Sequence, residues 1–199
     1  TADDGISYSK PMLSTGFTKG KDAEGLAQGS TDAMAEQLNL RIRTFATVTG
    51  IDMAAHELVL GDERIAYSKL VLALGADTWT PPLEGDAVGD VFSVNDLMDY
   101  GKFRAAVDGK KTVTILGGGL IGCEFANDLS NGGFQVSLVE PMGRCLPLLL
   151  PEQASEAVGR GLAELGVQFH FGPLAKAVHH GENGQLVTEL SDGSKLESD

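Results

Sequence analysis

The chain has 199 residues, of which 42% are hydrophobic and 22% are charged, and its formal net charge is −13. This balance excludes a disordered chain, a collagen and a coiled coil, and it provides enough apolar side chain for a buried core. An acidic surface repels phosphate backbones and anionic lipid, so neither a nucleic acid nor a membrane surface is an expected partner.

No apolar stretch approaches the roughly 20 residues of a transmembrane helix, and the first residues lack the basic and apolar regions of a signal peptide. The two cysteines, Cys123 and Cys145, lie far apart in the sequence, outside any CxxC motif or histidine cluster. This spacing indicates neither a disulfide framework nor a metal site, and buried packing or a bystander thiol is the better interpretation of both cysteines. We therefore expect a cytoplasmic protein without a bound metal.

The first half of the chain contains short runs of β-forming residues separated by turns. Three runs predict a small antiparallel meander: 42–51, 57–60 and 65–74. Gly61-Asp62 forms the predicted turn between the second and third strands. The last run ends in the apolar segment 70–74, for which we predict a buried strand.

A change of pattern between Leu83 and Gly109 marks the predicted domain boundary. Residues 78–90 contain two adjacent prolines and several acids without periodicity, which is typical of a connecting segment. We therefore predict two domains, one at 1–107 and the other at 108–199.

Beyond Gly109, strands and helices alternate. The predicted elements are, in order, a strand at 112–116, a helix at 120–130, a strand at 134–140, a helix at 151–165 and a strand at 167–171. This order indicates a parallel sheet with right-handed crossovers. The turn pairs Asn183-Gly184 and Asp192-Gly193 predict a β-meander after it. The predicted fold class is α/β, with a Rossmann-type domain made of a parallel sheet plus a β-meander.

The turn between the strand at 112–116 and its helix has the sequence GGGLIG, a G-x-G-x-x-G motif inside a βαβ unit. Gly117 permits the tight turn, and Gly119 lets the backbone approach a diphosphate. Gly122 lets the helix and the strand pack closely. The motif in this context predicts a dinucleotide site.

The helix that starts at Leu120 and Ile121 offers unpaired N–H groups and the positive end of its dipole to phosphates. Glu140 ends the next strand, 18 residues beyond the last glycine, where an acid accepts hydrogen bonds from an adenosine ribose. Its carboxylate would repel a 2′-phosphate, which favours NADH over NADPH, whereas Arg144 would soften that preference. The alternative is a flexible glycine loop with a solvated Glu140.

Three blocks of the sequence carry a resemblance to a known family. They are YSKPMLSTGF at 8–17, YSKLVLALGA at 67–76 and GGGLIGCEFA at 117–126. In order and spacing these blocks resemble the FAD-dependent pyridine nucleotide oxidoreductases. The resemblance implies two Rossmann-type domains, of which 1–107 is part of the FAD-binding domain without its first strand and glycine loop. Residues 108–199 then form the NAD-binding domain without its C-terminal end.

The resemblance also implies an activity. NADH would pass a hydride to FAD, and the reduced flavin would pass single electrons to rubredoxin or another small iron–sulfur protein. Two alternatives stay open: a ferredoxin reductase or NADH oxidase of the same superfamily, and a nucleotide-binding sensor module without turnover. Because residues 8–17 contain no cysteine, we expect no dithiol relay beside the flavin.

The resemblance implies two catalytic residues, Lys10 and Glu124. It places Lys10, with Pro11, beside the isoalloxazine, where a cation stabilises the anionic reduced flavin. Glu124, two residues past Gly122, would lie near the nicotinamide and the flavin and would pair with Lys10. The alternatives are a solvated lysine and an acid that stabilises a helix N-terminus.

Four further residues are implied contacts of FAD: Asp3, Thr47, Ala73 and Gly75. The resemblance places Asp3 at the end of the second strand of the FAD domain and Thr47 on a strand that meets the adenine. Ala73 and Gly75 match a turn near the FAD. A terminal surface charge is the alternative for Asp3.

Overall fold

The computed structural model describes residues 1–199, which form two compact units. Unit 1 comprises Thr1–Ser9 and Ala27–Thr78, and unit 2 comprises Lys10–Leu26 and Trp79–Asp199. The two units are defined by how compactly the chain packs, whereas the predicted domains 1–107 and 108–199 are defined by the cofactor that each binds. The predicted domains therefore stay a prediction.

Six helices and eleven strands make up the two units. The helices are α1 (Thr15–Thr18), α2 (Ala23–Leu26), α3 (Thr31–Leu38), α4 (Leu97–Ala106), α5 (Leu120–Asn131) and α6 (Glu152–Glu164). The strands are β1 (Ser7–Tyr8), β2 (Ala27–Gly29), β3 (Gly50–Asp52), β4 (Glu57–Leu60), β5 (Glu63–Ala66), β6 (Thr112–Leu116), β7 (Gln135–Glu140), β8 (Gln168–Phe171), β9 (Ala175–His180), β10 (Leu186–Leu190) and β11 (Lys195–Ser198). None of the helices combines the length and apolar character needed to cross a membrane.

Unit 1 contains the predicted antiparallel meander, in the order β3-β4-β5. Gly61 lies in the turn between β4 and β5 with a φ of 60°, a left-handed conformation that favours glycine. The strands are shorter than predicted, because 42–49 forms no strand. Helix α3 was not predicted, although Ser30 caps it by accepting a hydrogen bond from the N–H of Ala33.

The prediction of a buried strand at 70–74 is wrong. The segment belongs to no strand, and the side chains of Val71 and Leu74 are 85% and 87% exposed. A strand needs a neighbour that accepts and donates its ladder hydrogen bonds. No strand of the chain pairs with this segment, so its apolar composition alone does not fold it.

Unit 2 confirms the predicted fold class. Its three-stranded parallel sheet has the order β6-β7-β8, with α5 and α6 as the crossover helices. The predicted meander follows as the antiparallel sheet β9-β10-β11. The core lies where α5 covers the sheet, and its fully or almost fully buried side chains include Ala126, Leu129, Val136, Leu138 and Val139.

A cluster of aromatic rings attaches α1 to α4 and α5 within unit 2. The Phe17 ring makes edge contacts with Tyr100, Phe103 and Phe125 at centroid distances of 5.5, 5.6 and 6.3 Å. The Thr18 hydroxyl donates to the Asp128 carboxylate at 2.6 Å. Neither α1 nor α4 was predicted as a helix.

Candidate functional site

The glycine turn, residues 117–122, connects the carboxyl end of β6 to the first turn of α5. Gly117 has a φ of 111°, and its N–H donates to the carbonyl of Val139 at 2.8 Å. A Cβ at Gly122 would overlap the Gly117 carbonyl oxygen, so only glycine lets the helix come this close. The structure therefore gives Gly117 and Gly122 the steric roles that the sequence predicted.

The outer face of the turn presents unused hydrogen-bond donors. No hydrogen bond within the chain uses the N–H groups of Gly119, Leu120 or Ile121, and the first intrahelical bond is Cys123 N to Gly119 O. A Cβ at Gly119 would meet no atom within 4 Å, so the space in front of the turn is open. Free amides at the start of a helix bind anions, because they carry the positive end of the helix dipole.

Glu140 is buried at the carboxyl end of β7, directly behind the turn, with 6% of its surface exposed. One carboxylate oxygen accepts from the Gly118 N–H and the other from the Met142 N–H, both at 2.8 Å. The sequence predicted a ribose acceptor here but did not predict these two bonds. They fix the turn to the loop after β7 and leave each oxygen one further lone pair.

The two cysteines, far apart in the sequence, are neighbours in the structure. Both are buried, on α5 and in the loop after β7, and each thiol affects the pKa of the other. Burial, together with the neighbouring Cys145 thiol, raises the pKa of Cys123 to about 12. The expectation of buried packing holds, but the sequence carried no signal for this pairing.

A cavity of about 350 Å³ opens beside Cys145, between the loop after β7, α6 and β8. Arg144 and Arg160 line it together with Phe169 and Phe171, whose rings stack with centroids 4.8 Å apart. The Arg144 guanidinium donates to the Pro147 carbonyl at 3.2 Å. Glu156 lines the cavity as well and pairs with Arg160 at 3.8 Å, so the cavity carries charges of both signs.

Lys10 and Glu124 lie in unit 2 but form no ion pair. The Nζ atom of Lys10 donates to Oδ1 of Asn95 at 2.7 Å, and none of the ion pairs in the structure joins Lys10 to Glu124. Pro11 lies in the same short 3-10 turn and is exposed. The structure thus gives Lys10 a defined partner, Asn95, that was not predicted from the sequence.

In unit 1, Asp3 lies beside the segment that contains Thr47. The Asp3 carbonyl accepts from the Phe45 N–H at 2.9 Å, and one of its carboxylate oxygens accepts from the Thr1 hydroxyl and the Gly5 N–H. No hydrogen bond within the chain uses the other oxygen. Ala73 and Gly75 lie in the exposed extended segment, where Gly75 has a φ of 70°.

Comparisons of the sequence give consistent matches. A family described as pyridine nucleotide-disulphide oxidoreductase matches residues 2–199. A rubredoxin-NAD(+) reductase of Alcanivorax borkumensis is 80% identical over the whole chain, and one of Acinetobacter baylyi is 39% identical. The chain spans about half of these relatives, 52% of the length of each.

A comparison of structures gives the same fold. The ferredoxin reductase for the CYP199A2 system from Rhodopseudomonas palustris matches all of the chain with a TM-score of 0.86 and 26% identity. The chain covers 49% of that structure. This match supports the α/β fold class at the level of the whole chain.

Proposed function

Because the chain belongs to the pyridine nucleotide-disulphide oxidoreductase family, as its resemblance indicated, we propose that it binds NADH in a flavoprotein reductase. In this proposal electrons pass from NADH through FAD to rubredoxin or another small iron–sulfur protein. The observation that carries the proposal is the glycine turn, where three free amides face open space in front of the buried Glu140.

The glycine turn and Glu140 bind the diphosphate and the ribose of the ADP part of NADH. The amides of Gly119, Leu120 and Ile121 donate to the diphosphate, whose negative charge the N-terminus of α5 stabilises. Glu140 accepts from the ribose hydroxyls with the lone pairs that Gly118 and Met142 leave free. Its negative charge disfavours a 2′-phosphate, so the turn selects NADH over NADPH.

The donor set of the chain fits part of an FAD. In unit 1, the open carboxylate oxygen of Asp3 is suited to a ribose hydroxyl, and Thr47 lies in the segment next to it. Ala73 and Gly75 offer backbone groups in an exposed segment. When bound, FAD supplies two-electron uptake from NADH and one-electron release to an acceptor.

In unit 2, Lys10 is the cation that would stabilise a negative charge on the flavin. Its hydrogen bond to Asn95 limits the positions of the ammonium group, which makes the charge a fixed one. Glu124 stands on the first turns of α5, next to the predicted nicotinamide site, and we propose that it contacts the nicotinamide rather than Lys10. Pro11 shapes the same short turn as Lys10.

The relatives support rubredoxin as the acceptor, since the names of two of them state a rubredoxin-NAD(+) reductase. The Rhodopseudomonas palustris match favours ferredoxin as the second candidate. We also propose a cytoplasmic location, which cell fractionation would check.

Stopped-flow absorbance of the flavin-loaded full-length protein tests the proposal. NADH should bleach the flavin within milliseconds, NADPH should do so more slowly, and rubredoxin should restore the colour faster than ferredoxin. Glu140→Gln, which keeps the size of the side chain, should weaken the binding of NADH and reduce the preference for NADH over NADPH. If NADH does not bleach the flavin, the protein is a nucleotide-binding module without turnover. If ferredoxin reoxidises the flavin faster than rubredoxin does, ferredoxin is the acceptor.

A further inference from the structure

The peptide between Gly118 and Gly119 is held from the inside of the glycine turn. Its carbonyl oxygen, that of Gly118, accepts two hydrogen bonds, from the Leu146 N–H at 2.7 Å and from the Cys123 thiol at 3.4 Å. The Leu146 donor comes from the loop after β7, and Cys123 comes from the helix that the turn begins. Two separate parts of unit 2 therefore meet on one carbonyl.

The direction of this carbonyl decides the direction of a free amide. In a planar trans peptide, the C=O of one residue and the N–H of the next point in opposite directions. Since the Gly118 oxygen points inward to Leu146 and Cys123, the Gly119 N–H points outward, where it has no partner in the chain. We propose that Cys123 is a positioning residue whose thiol keeps the Gly119 N–H aimed at the diphosphate of NADH.

Several features of Cys123 suit this role. The thiol is buried, with 7% of the residue exposed, so water does not compete for the carbonyl. The raised pKa described above keeps the proton on the sulfur at neutral pH, which a donor requires. The opposite side of Gly118 is closed as well, because a Cβ there would lie 3.0 Å from the Glu140 side chain. The peptide thus has little freedom to flip.

The inference deepens the proposed function and rests on it, because the diphosphate is that of NADH. Calorimetric titration of the full-length protein without flavin gives a readout that does not depend on turnover. The probes are NADH, ADP-ribose, which keeps the diphosphate, and adenosine, which lacks it. Thermal melting of each variant, recorded alongside, reports whether it folds.

Cys123→Ala should raise the dissociation constants of NADH and ADP-ribose by the same factor, about threefold for one lost S–H···O hydrogen bond, and should leave that of adenosine unchanged. Cys123→Ser keeps a donor and should restore most of the affinity for both. Cys145→Ala is the matched control, because it deletes the neighbouring buried sulfur, which makes no bond to the turn. It should bind all three probes as the wild type does.

Three outcomes would overturn the positioning role. One is a Cys123→Ala variant that binds NADH as tightly as the wild type. The second is a Cys123→Ala variant whose affinity for adenosine falls by the same factor as its affinity for NADH, which would indicate general loosening of the site. The third is a Cys145→Ala variant as weak as Cys123→Ala. A wild-type protein that binds neither NADH nor ADP-ribose would instead refute the proposed function itself, so the two failures are distinguishable.

Discussion

Two five-residue segments rich in apolar residues differ in this molecule: one is a paired strand, and the other is unpaired and exposed. The segment that forms β6 pairs along its length with β7, with Val113 opposite Val136 and Ile115 opposite Leu138. The segment 70–74 in unit 1 pairs with nothing and exposes most of its side chains. Apolar, β-forming residues thus give a segment the capacity to be a strand, whereas a neighbouring strand and a covering helix decide whether it is one.

The rate at which a cysteine reacts with iodoacetamide should show the largest difference between the packed and the exposed region. At pH 8 a pKa of about 12, against the ordinary 9.0, lowers the reactive thiolate fraction of Cys123 by about a thousandfold. A cysteine introduced by Val71→Cys, at a position that is 85% exposed, should react with iodoacetamide at the rate of a free thiol. Mass spectrometry of time points would measure both rates, and similar rates would mean that α5 does not bury Cys123.

The same substitution placed in both regions should change stability very differently. Leu138→Ala removes a fully buried side chain from β7 and should lower the free energy of unfolding by about 3 kcal/mol. Leu74→Ala removes one that is 87% exposed and should change it by less than about 0.5 kcal/mol. Urea denaturation followed by circular dichroism measures both. A large loss in Leu74→Ala would show that 70–74 is covered in solution.

The contrast also explains how far the sequence alone could predict the fold. In unit 2 the periodic strands and helices and the glycine turn are encoded locally, so the order β-α-β-α-β was predicted within a few residues. The segment 70–74 has an equally clear local pattern, but its partner is a long-range property. Helix α1 was missed because its four residues are too few to show a helical period, whereas α4 has a local N-cap signal, Asp96, that was overlooked.

The candidate site divides in the same way. The positions of Gly117, Gly119, Gly122 and Glu140 follow from a motif with fixed spacing, and the structure places them together. The bond from the Leu146 N–H to the Gly118 carbonyl was not predictable, since this donor comes from the loop after β7, far along the chain. Cys145 beside Cys123 is the clearest example, because 21 residues separate the two thiols in the chain.

Replacing one glycine in each region by alanine should distinguish a steric clash in the packed region from backbone strain in the exposed region. Gly122→Ala places a Cβ against the Gly117 carbonyl and should lower the free energy of unfolding by about 2 kcal/mol. Gly75→Ala meets no atom within 4 Å and adds only the strain of a left-handed residue, about 1 kcal/mol. Denaturation curves of both variants measure this order, and its reversal would contradict the close approach of α5 to β6.

The smallest expected effect concerns the start of β6, which a carboxylate holds. The Asp199 carboxylate accepts hydrogen bonds from the N–H groups of Lys111 and Thr112 and from the Thr112 hydroxyl. These bonds lower the pKa of Asp199, and the bond from the Lys111 N–H contributes most. Because the folded pKa is depressed, this stabilisation is present above the unfolded value of 3.8 and is lost as the pH falls through the folded value. Asp199→Asn should therefore melt slightly below the wild type at pH 7 and together with it in strong acid. Thermal melts across this range measure the difference, and one that persists unchanged in acid would assign the effect to packing rather than to charge.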